Sequence, residues 1–230
     1  FDPAAVLSAT EVEEGNVAVA SPRSELALPA GFGATANVTG DLAKEALLPS
    51  PALLDQGKVQ TDEQVSFTLK PTDAARGYRF VVSRDAGFDD VIAEADSPSP
   101  STSFANLKNG TYFLRATAVS KSGLNGLGDA WSFRRQRVGL AADMGQAGIP
   151  GGIRINWRVE GEGKSLFRFQ MFAEGDTATP LVDEAGLDKP GLTLTGLRRG
   201  AYHWRLGVIQ STAEGSAEVW TPLQKFSVSN

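Results

Sequence analysis

The sequence predicts an all-β protein, two tandem β-sandwiches behind a short β-rich N-terminal segment, and three observations predict it. Residues 107–115 and 197–205, ninety positions apart, both read Leu-x-x-Gly-x-Tyr-x-x-Arg, and an echo at fixed period marks tandem units. Around both copies apolar and polar residues alternate in short runs, the period of a half-buried strand. The 25 glycines and 12 prolines among 230 residues follow no collagen-like repeat and supply the turns that many short strands require.

The elements follow in order. Residues 1–48 carry short β-like beats at Val17 and Val19, at Leu26 and Leu28, and one ending at Val38, set among glycines at 15, 31, 33 and 40. Residues 41–48 have Leu42, Ala43, Ala46 and Leu47 spaced for one helical face behind Asp41, which predicts a single capped helical turn. Pro49 and Pro51 then exclude both helix and central strand. They are read as a linker, so the expected division is 1–54, 55–138 and 139–230. In the first repeat Val65, Phe67 and Leu69 alternate, then Tyr78, Phe80 and Val82, then Tyr112, Leu114, Ala116 and Ala118; Trp131 and Phe133 open a last strand. The second repeat answers with Ile153, Ile155 and Trp157, then Phe167, Phe169 and Met171, then Tyr202, Trp204, Leu206 and Val208, closed by Trp220 and Phe226. The connection 139–152 carries five glycines and no regular period. Tyr112 and Tyr202 each follow a turn at the start of a core-crossing strand, the place of a tyrosine corner.

These segments carry a resemblance. Both repeats resemble fibronectin type III-like, immunoglobulin-related sandwiches. Residues 14–19 (Glu-Gly-Asn-Val-Ala-Val), 28–33 (Leu-Pro-Ala-Gly-Phe-Gly) and 47–51 (Leu-Leu-Pro-Ser-Pro) resemble the closing part of a FecR-like domain. The order is similar to that of bacterial envelope proteins in which a FecR-like domain precedes such repeats, often with a peptidoglycan-binding LysM domain upstream. The resemblance implies a periplasmic or cell-envelope location, a protein or cell-wall glycan partner, a binding, sensing or scaffolding role, and no catalytic residues. The chain begins at Phe1 without a charged leader and is read as a trimmed piece of a longer protein.

Charge narrows the partners. The net −5 comes from residues 1–59, with 8 acidic and 3 basic residues, while 60–140 hold 9 and 10 and 141–230 hold 10 and 9. Near-neutral repeats lack the clustered cations that nucleic acid requires. No apolar run reaches about 18 residues, so no membrane-spanning helix is expected.

The residues give little support to chemistry. There is no cysteine and one histidine, His203, and no serine lies in a Gly-x-Ser-x-Gly setting. Asp85, Asp89 and Asp90 lack the spacing of a calcium loop and read as a turn. Gly31-Phe32-Gly33 and the glycines from 145 to 152 precede no helix pattern and lack the Lys-Ser/Thr of a phosphate loop. Arg134, Arg135 and Arg137 read as the solvated end of a strand. No catalytic, cofactor or metal residue is therefore assigned. Strand alternation does leave one candidate binding face: Arg79, Phe113 and Arg115 in the first repeat, Arg168, Phe172, His203 and Arg205 in the second. Arginine with an aromatic residue on a flat sheet suits a glycan, an acidic peptide or a protein partner. The leading expectation is a non-enzymatic envelope scaffold or binding protein; the alternative is an accessory carbohydrate-binding region of an enzyme whose catalytic domain lies outside this chain.

Overall fold

The computed structural model describes residues 6–228, with side chains from residue 8 onward. Every regular element among them is a strand. Contacts divide the chain into two compact units, the first taking residues up to 58, 64–107 and 111–134, the second 59–63, 108–110 and 135 onward.

The first unit opens with β1 (Val6–Val12), the hairpin β2 (Asn16–Ala20) and β3 (Glu25–Pro29), β4 (Phe32–Asn37) and β5 (Leu42–Ala46). β4 lies between β1 and β5, and Val12, Leu28 and Ala34 form a small core of their own. The expected helical turn at 41–48 is thus a strand. Its spacing fits one helical face, but β4 offers an open edge, and Leu42 to Ala46 pair with Ala36 to Phe32 along it. Tertiary pairing overrides so weak a local signal. Asp41 caps no helix; it closes the β4–β5 turn, where Asn37 Oδ1 accepts the N–H groups of Thr39 and Asp41.

The first sandwich follows. β6 (Val65–Thr68) pairs with β9 (Ser101–Phe104), and this pair faces a sheet ordered β11 (Asn125–Arg135), β10 (Gly110–Val119), β7 (Gly77–Ser83), β8 (Val91–Ser97). Alternation sends Tyr78, Phe80 and Val82 inward opposite Ala118, Ala116 and Leu114, so bulky side chains on β7 meet mostly small ones on β10. Phe67 meets Phe133 edge-on at 4.8 Å. The proline-bearing segment between β5 and β6 is stitched down on both flanks. The Leu127 N–H donates to the Leu48 carbonyl, Lys70 to Ala52 and Leu54 to Thr68, each within 2.9 Å, while Leu53 is buried in the sandwich core.

The N-terminal sheet is also fastened to the loop between β10 and β11. Glu45 Oε1 accepts hydroxyl protons from Ser120 (2.7 Å) and Ser122 (2.6 Å). Glu11 Oε1 accepts the Asn125 backbone N–H at 2.9 Å. Leu124, 1% exposed, fills the space between these contacts, its side chain lying where a Cβ on Gly33 would stand.

In the second unit β12 (Gly139–Gln146), β13 (Ile153–Glu160) and β16 (Gly191–Leu194) form one sheet. It faces β15 (Val182–Leu187), β14 (Lys164–Ala173), β17 (Gly200–Thr212) and β18 (Gly215–Trp220), with β19 (Gln224–Val228) continuing β18 along the first part of β17. The glycine-bearing stretch 139–152, read as an irregular connection, holds β12, because all eight of its residues find partners on β13. Between β18 and β19 Thr221 keeps the ladder closed: its N–H donates to the Leu206 carbonyl at 2.8 Å and its hydroxyl accepts the Leu206 N–H at 3.0 Å. The core is Ile155 and Trp157 against Phe167, Phe169, Met171, Tyr202, Trp204, Leu206 and Val208.

Arg135 is not solvated as its charge suggested. It is 2% exposed, and its guanidinium donates to the carbonyls of Gln60 (3.0 Å) and Glu63 (3.1 Å). A cationic fork that satisfies backbone carbonyls is a tolerated way to bury arginine.

Both motif tyrosines are buried, and each ring stacks on a phenylalanine from the last strand of its sandwich: Tyr112 on Phe133 at 5.6 Å, Tyr202 on Phe226 at 5.3 Å. The Tyr202 hydroxyl donates to the Arg198 carbonyl at 2.7 Å, four residues upstream.

Candidate functional site

The outer face of the β7–β10 pair begins with strand register. Phe113 lies opposite Ser83, Arg115 opposite Val81, and Thr117 opposite Arg79, so Arg79, Phe113 and Arg115 share one face. Phe113 is half-buried and Arg115 exposed. Arg79 reaches across to β8, where it pairs with Glu94 and, at 3.9 Å, with Asp96. Arg115 places its guanidinium 4.1 Å from the ring centre of Phe88, a cation over a π face.

Phe88 arrives there from the turn after β7, in a left-handed conformation (φ 62°) unusual for a side chain of its size. Asp85 organises that turn. Its Oδ2 accepts the Asp90 N–H (2.7 Å) and the Ser83 hydroxyl (2.9 Å), and its Oδ1 accepts the Asp89 N–H (3.2 Å). The Asp90 and Asp89 amides hold its carboxyl down to about 2. Carboxylate oxygens occupied by N–H donors are closing a turn; the calcium reading finds no support here.

The second sandwich carries the richer face. On β14 the residues pointing away from the core are Leu166, Arg168, Gln170 and Phe172; on β17 they are His203, Arg205, Gly207 and Ile209. Asp183 of β15 receives Arg168 through two bonds, Nε to Oδ1 at 2.7 Å and a terminal nitrogen to Oδ2 at 2.6 Å. Gln170 Nε2 donates to the same carboxylate at 3.1 Å, and its Oε1 accepts from Arg205 Nε at 2.9 Å. The Arg205 guanidinium lies 4.5 Å from the Trp220 ring centre and 5.7 Å from that of Phe172. Trp220 lies over Gly207, where a Cβ would come within 2.8–2.9 Å of three indole atoms, and its Nε1 donates to Glu218 at 2.7 Å.

The face was legible but its exposure was not. Phe172 stands on the outer side, absent from the core cluster, yet it is 2% exposed, not open to solvent. His203 is its direct cross-strand neighbour and the Arg205 guanidinium lies beside its ring. Trp220, expected only to close the domain, belongs to this face. The signal for it was Gly207, the one residue without a side chain in an outward row of large ones.

The motif arginine therefore does the same thing twice: Arg115 and Arg205, eight residues after the motif leucine, each hold an aromatic ring against the outer sheet. The rings come from different elements, which is why no aromatic position repeats with the arginine.

The hydrogen bonds from Arg168, with a smaller contribution from Gln170, hold the Asp183 carboxyl at about 2, well below an unfolded aspartate near ~3.9. Its contribution to stability is complete above the unfolded value and is lost as the pH falls from about 4 to about 2. Asp183→Asn is expected to flatten the acid limb of the second unit's melting temperature in that window. The first unit's limb, which contains Asp85, stays steep. Calorimetric melts across the window check this, and an unchanged limb for the second unit contradicts it.

His203 is half-buried opposite Lys225, and its Nδ1 is buried with no hydrogen-bond partner. The nearby Glu174 is held below the usual carboxylate range, first by its hydrogen bond from Lys225 and then by the charges of Lys225 and His203. A cleft of about 430 Å³ in the first unit is lined by Arg76, Tyr78, Arg79, Asp96, Ser97 and Asn125 among others. Arg79 and Asp96 pair with each other within it. Among the described residues no group of three or more His, Asp or Glu side chains is placed to hold a metal ion, and no helix is long and apolar enough to cross a membrane.

No family model matches the sequence, and no curated protein matches it. Among solved structures, the FN1–FN3 domains of chicken CNTN1 are similar over 86% of this chain and 75% of that one, at 12% identity and a TM-score of 0.38. By its own strand order, a two-stranded sheet facing a four-stranded one in the first sandwich and a three-stranded sheet facing a five-stranded one in the second, the chain is an all-β protein containing two fibronectin type III-like sandwiches in tandem.

Proposed function

We propose that this chain is a non-enzymatic, extracytoplasmic scaffold or binding protein of a bacterial cell envelope, in which a FecR-like β segment precedes two sandwiches. One observation carries the reading: each sandwich turns outward a strand pair whose motif arginine is committed to an aromatic ring, Arg115 to Phe88 and Arg205 to Trp220. Aromatic and arginine side chains held in fixed positions are what recognition surfaces are enriched in. The pKa shifts follow the same pairings: they depress carboxylates that are already hydrogen-bonded and raise paired arginines.

Retention on purified peptidoglycan sacculi and on an envelope-protein extract tests this. The double variant Arg115→Ala, Arg205→Ala is expected to lose at least about tenfold in retention, the equivalent of ~1.4 kcal/mol, with both units still folded. Full retention by that variant removes the faces from the proposal. The second reading, an accessory carbohydrate-binding region, draws on the Trp220 indole lying flat on the sheet beside Glu218 and Arg205. It expects soluble oligosaccharides to bind and Trp220→Ala to abolish that binding.

A further inference from the structure

We infer that the cleft at the start of β7 is a binding site for a peptide carboxylate, which docks on the guanidinium of Arg76. The site is separate from the rings that Arg115 and Arg205 hold, so it goes beyond the reading of those faces and does not depend on it. The cleft, about 430 Å³, lies where β7 begins and β8 and β10 end, and its wall includes Arg76, Arg79, Asp96, Pro98, Val119 and Gly123. Pockets that take small ligands start at about 300 Å³.

Two glycines keep side chains out of the wall. Gly77 stands in the outward row of β7 with Arg79, and a Cβ there would come 2.9 Å from the Ser97 carbonyl oxygen. Gly123 has φ +99°, and its Cβ position lies 3.3 Å from a terminal nitrogen of Arg76, so that guanidinium rests against bare backbone. The Arg76 N–H donates to the Val119 carbonyl at 2.8 Å, which fixes its main chain beside the cleft. No hydrogen bond, ion pair or ring contact takes its guanidinium among the described residues.

The chemistry of the wall selects the ligand. The Ser97 hydroxyl donates to the Ser101 carbonyl at 2.9 Å, and Asn125 Nδ2 donates to Glu11 at 3.3 Å. Arg79 is paired with Glu94. The donors left open therefore belong to the planar fork of Arg76, which a carboxylate matches with two parallel hydrogen bonds. A sugar acid would bring hydroxyls for which the committed Ser97 and Asn125 have nothing to offer. A polyanion would bring more charge than the wall can meet, because Glu94 and Asp96 offset two arginines there. Pro98 and Val119 supply apolar surface for the aliphatic stem of a peptide. Asp96 is the competitor: its side chain is 77% exposed and only 3.9 Å from Arg79, so it is weakly held and easily displaced.

Titration of the ¹⁵N-labelled full chain, read at the Gly77 and Gly123 amides and the Arg76 Nε signal, tests the site. The probes are acetyl-trialanine, its C-terminal amide, acetyl-Ala-Glu-Ala amide and inorganic phosphate. Binding of either carboxylate-bearing peptide is expected, and which one binds tells a chain end from an acidic side chain. Arg76→Ala should weaken it at least about tenfold, and Asp96→Asn should strengthen it about two- to fivefold. Arg199→Ala, an exposed arginine in the other unit, should leave it unchanged. Arg76 is exposed and its side chain holds nothing in place, so its variant keeps the fold, which near-UV circular dichroism verifies. The inference is overturned if neither carboxylate peptide binds, if the trialanine amide binds equally well, or if phosphate binds more tightly than both. Binding that survives Arg76→Ala, or that weakens in Asp96→Asn, also overturns it. Sacculus retention lost in the Arg115, Arg205 double variant by a chain that binds no peptide sinks this site and leaves the scaffold reading standing; peptide binding with full retention in that variant does the reverse.

Discussion

Trp204→Ala is expected to remove about 3–5 kcal/mol from the second unit and to leave the first unit's unfolding midpoint where it was. Trp204 is 1% exposed, sits opposite Met171 on the neighbouring strand, and has Phe169 at 5.9 Å with the rings inclined at 30°. Its removal leaves a large cavity lined by side chains that the strand ladder holds in place, so little relaxation can refill it. A domain's whole stability is about 5–15 kcal/mol, so the loss is a substantial fraction of it. The two large hydrophobic cores share no residue, which is why the effect stays in one of them. Calorimetry is expected to show one transition moving down while the other holds. Both transitions shifting together would mean that the units unfold as one.

The second large effect is expected at a glycine. Gly163, in the turn between β13 and β14, has φ +101°, and a Cβ there would stand 2.1 Å from the Ser211 carbonyl oxygen. Ser211 is the partner of Lys164, so the obstructing atom belongs to the β17 backbone and cannot swing aside. Gly163→Ala therefore combines a strained conformation, on the order of 1–3 kcal/mol, with a clash that must open the β14–β17 ladder at its end. Gly175 is the internal control: its φ is +83°, but nothing lies within 4 Å of its Cβ position. Urea midpoints are expected to fall markedly further for Gly163→Ala than for Gly175→Ala. Equal shifts would mean that the turn relaxes and that the carbonyl contact does not matter.

The sequence made the sandwiches readable because two signals agreed. Tyr78, Phe80 and Val82 and their counterparts Phe167, Phe169 and Met171 alternate cleanly, and all six are buried. The Leu-x-x-Gly-x-Tyr-x-x-Arg repeat set the frame in which to place them. Where a segment's structure depends on what lies beside it, the sequence was mute. Residues 42–46 fit a helical face as well as a strand, and only the open edge of β4 decides between them. β12 has no period of its own and exists because β13 pairs with it along its length. The candidate site divides in the same way. Alternation gave the side of the sheet on which Arg79, Phe113, Arg115, Arg168, Phe172, His203 and Arg205 stand. It could not give the cover over Phe172, the carboxylate that captures Arg168, or the indole over Gly207, since Asp183 and Trp220 come from strands whose registers no local pattern reveals.

The bonds from Glu11 and Glu45 to the β10–β11 loop have a mechanical meaning. Together with the Leu48 carbonyl on Leu127 and the seating of Leu53, they leave the proline-bearing stretch no slack in which to act as a tether. A pull delivered through the N-terminal sheet reaches the first sandwich as a load on that hairpin, shared by several short bonds in parallel, so that the segment behaves as a rigid shank.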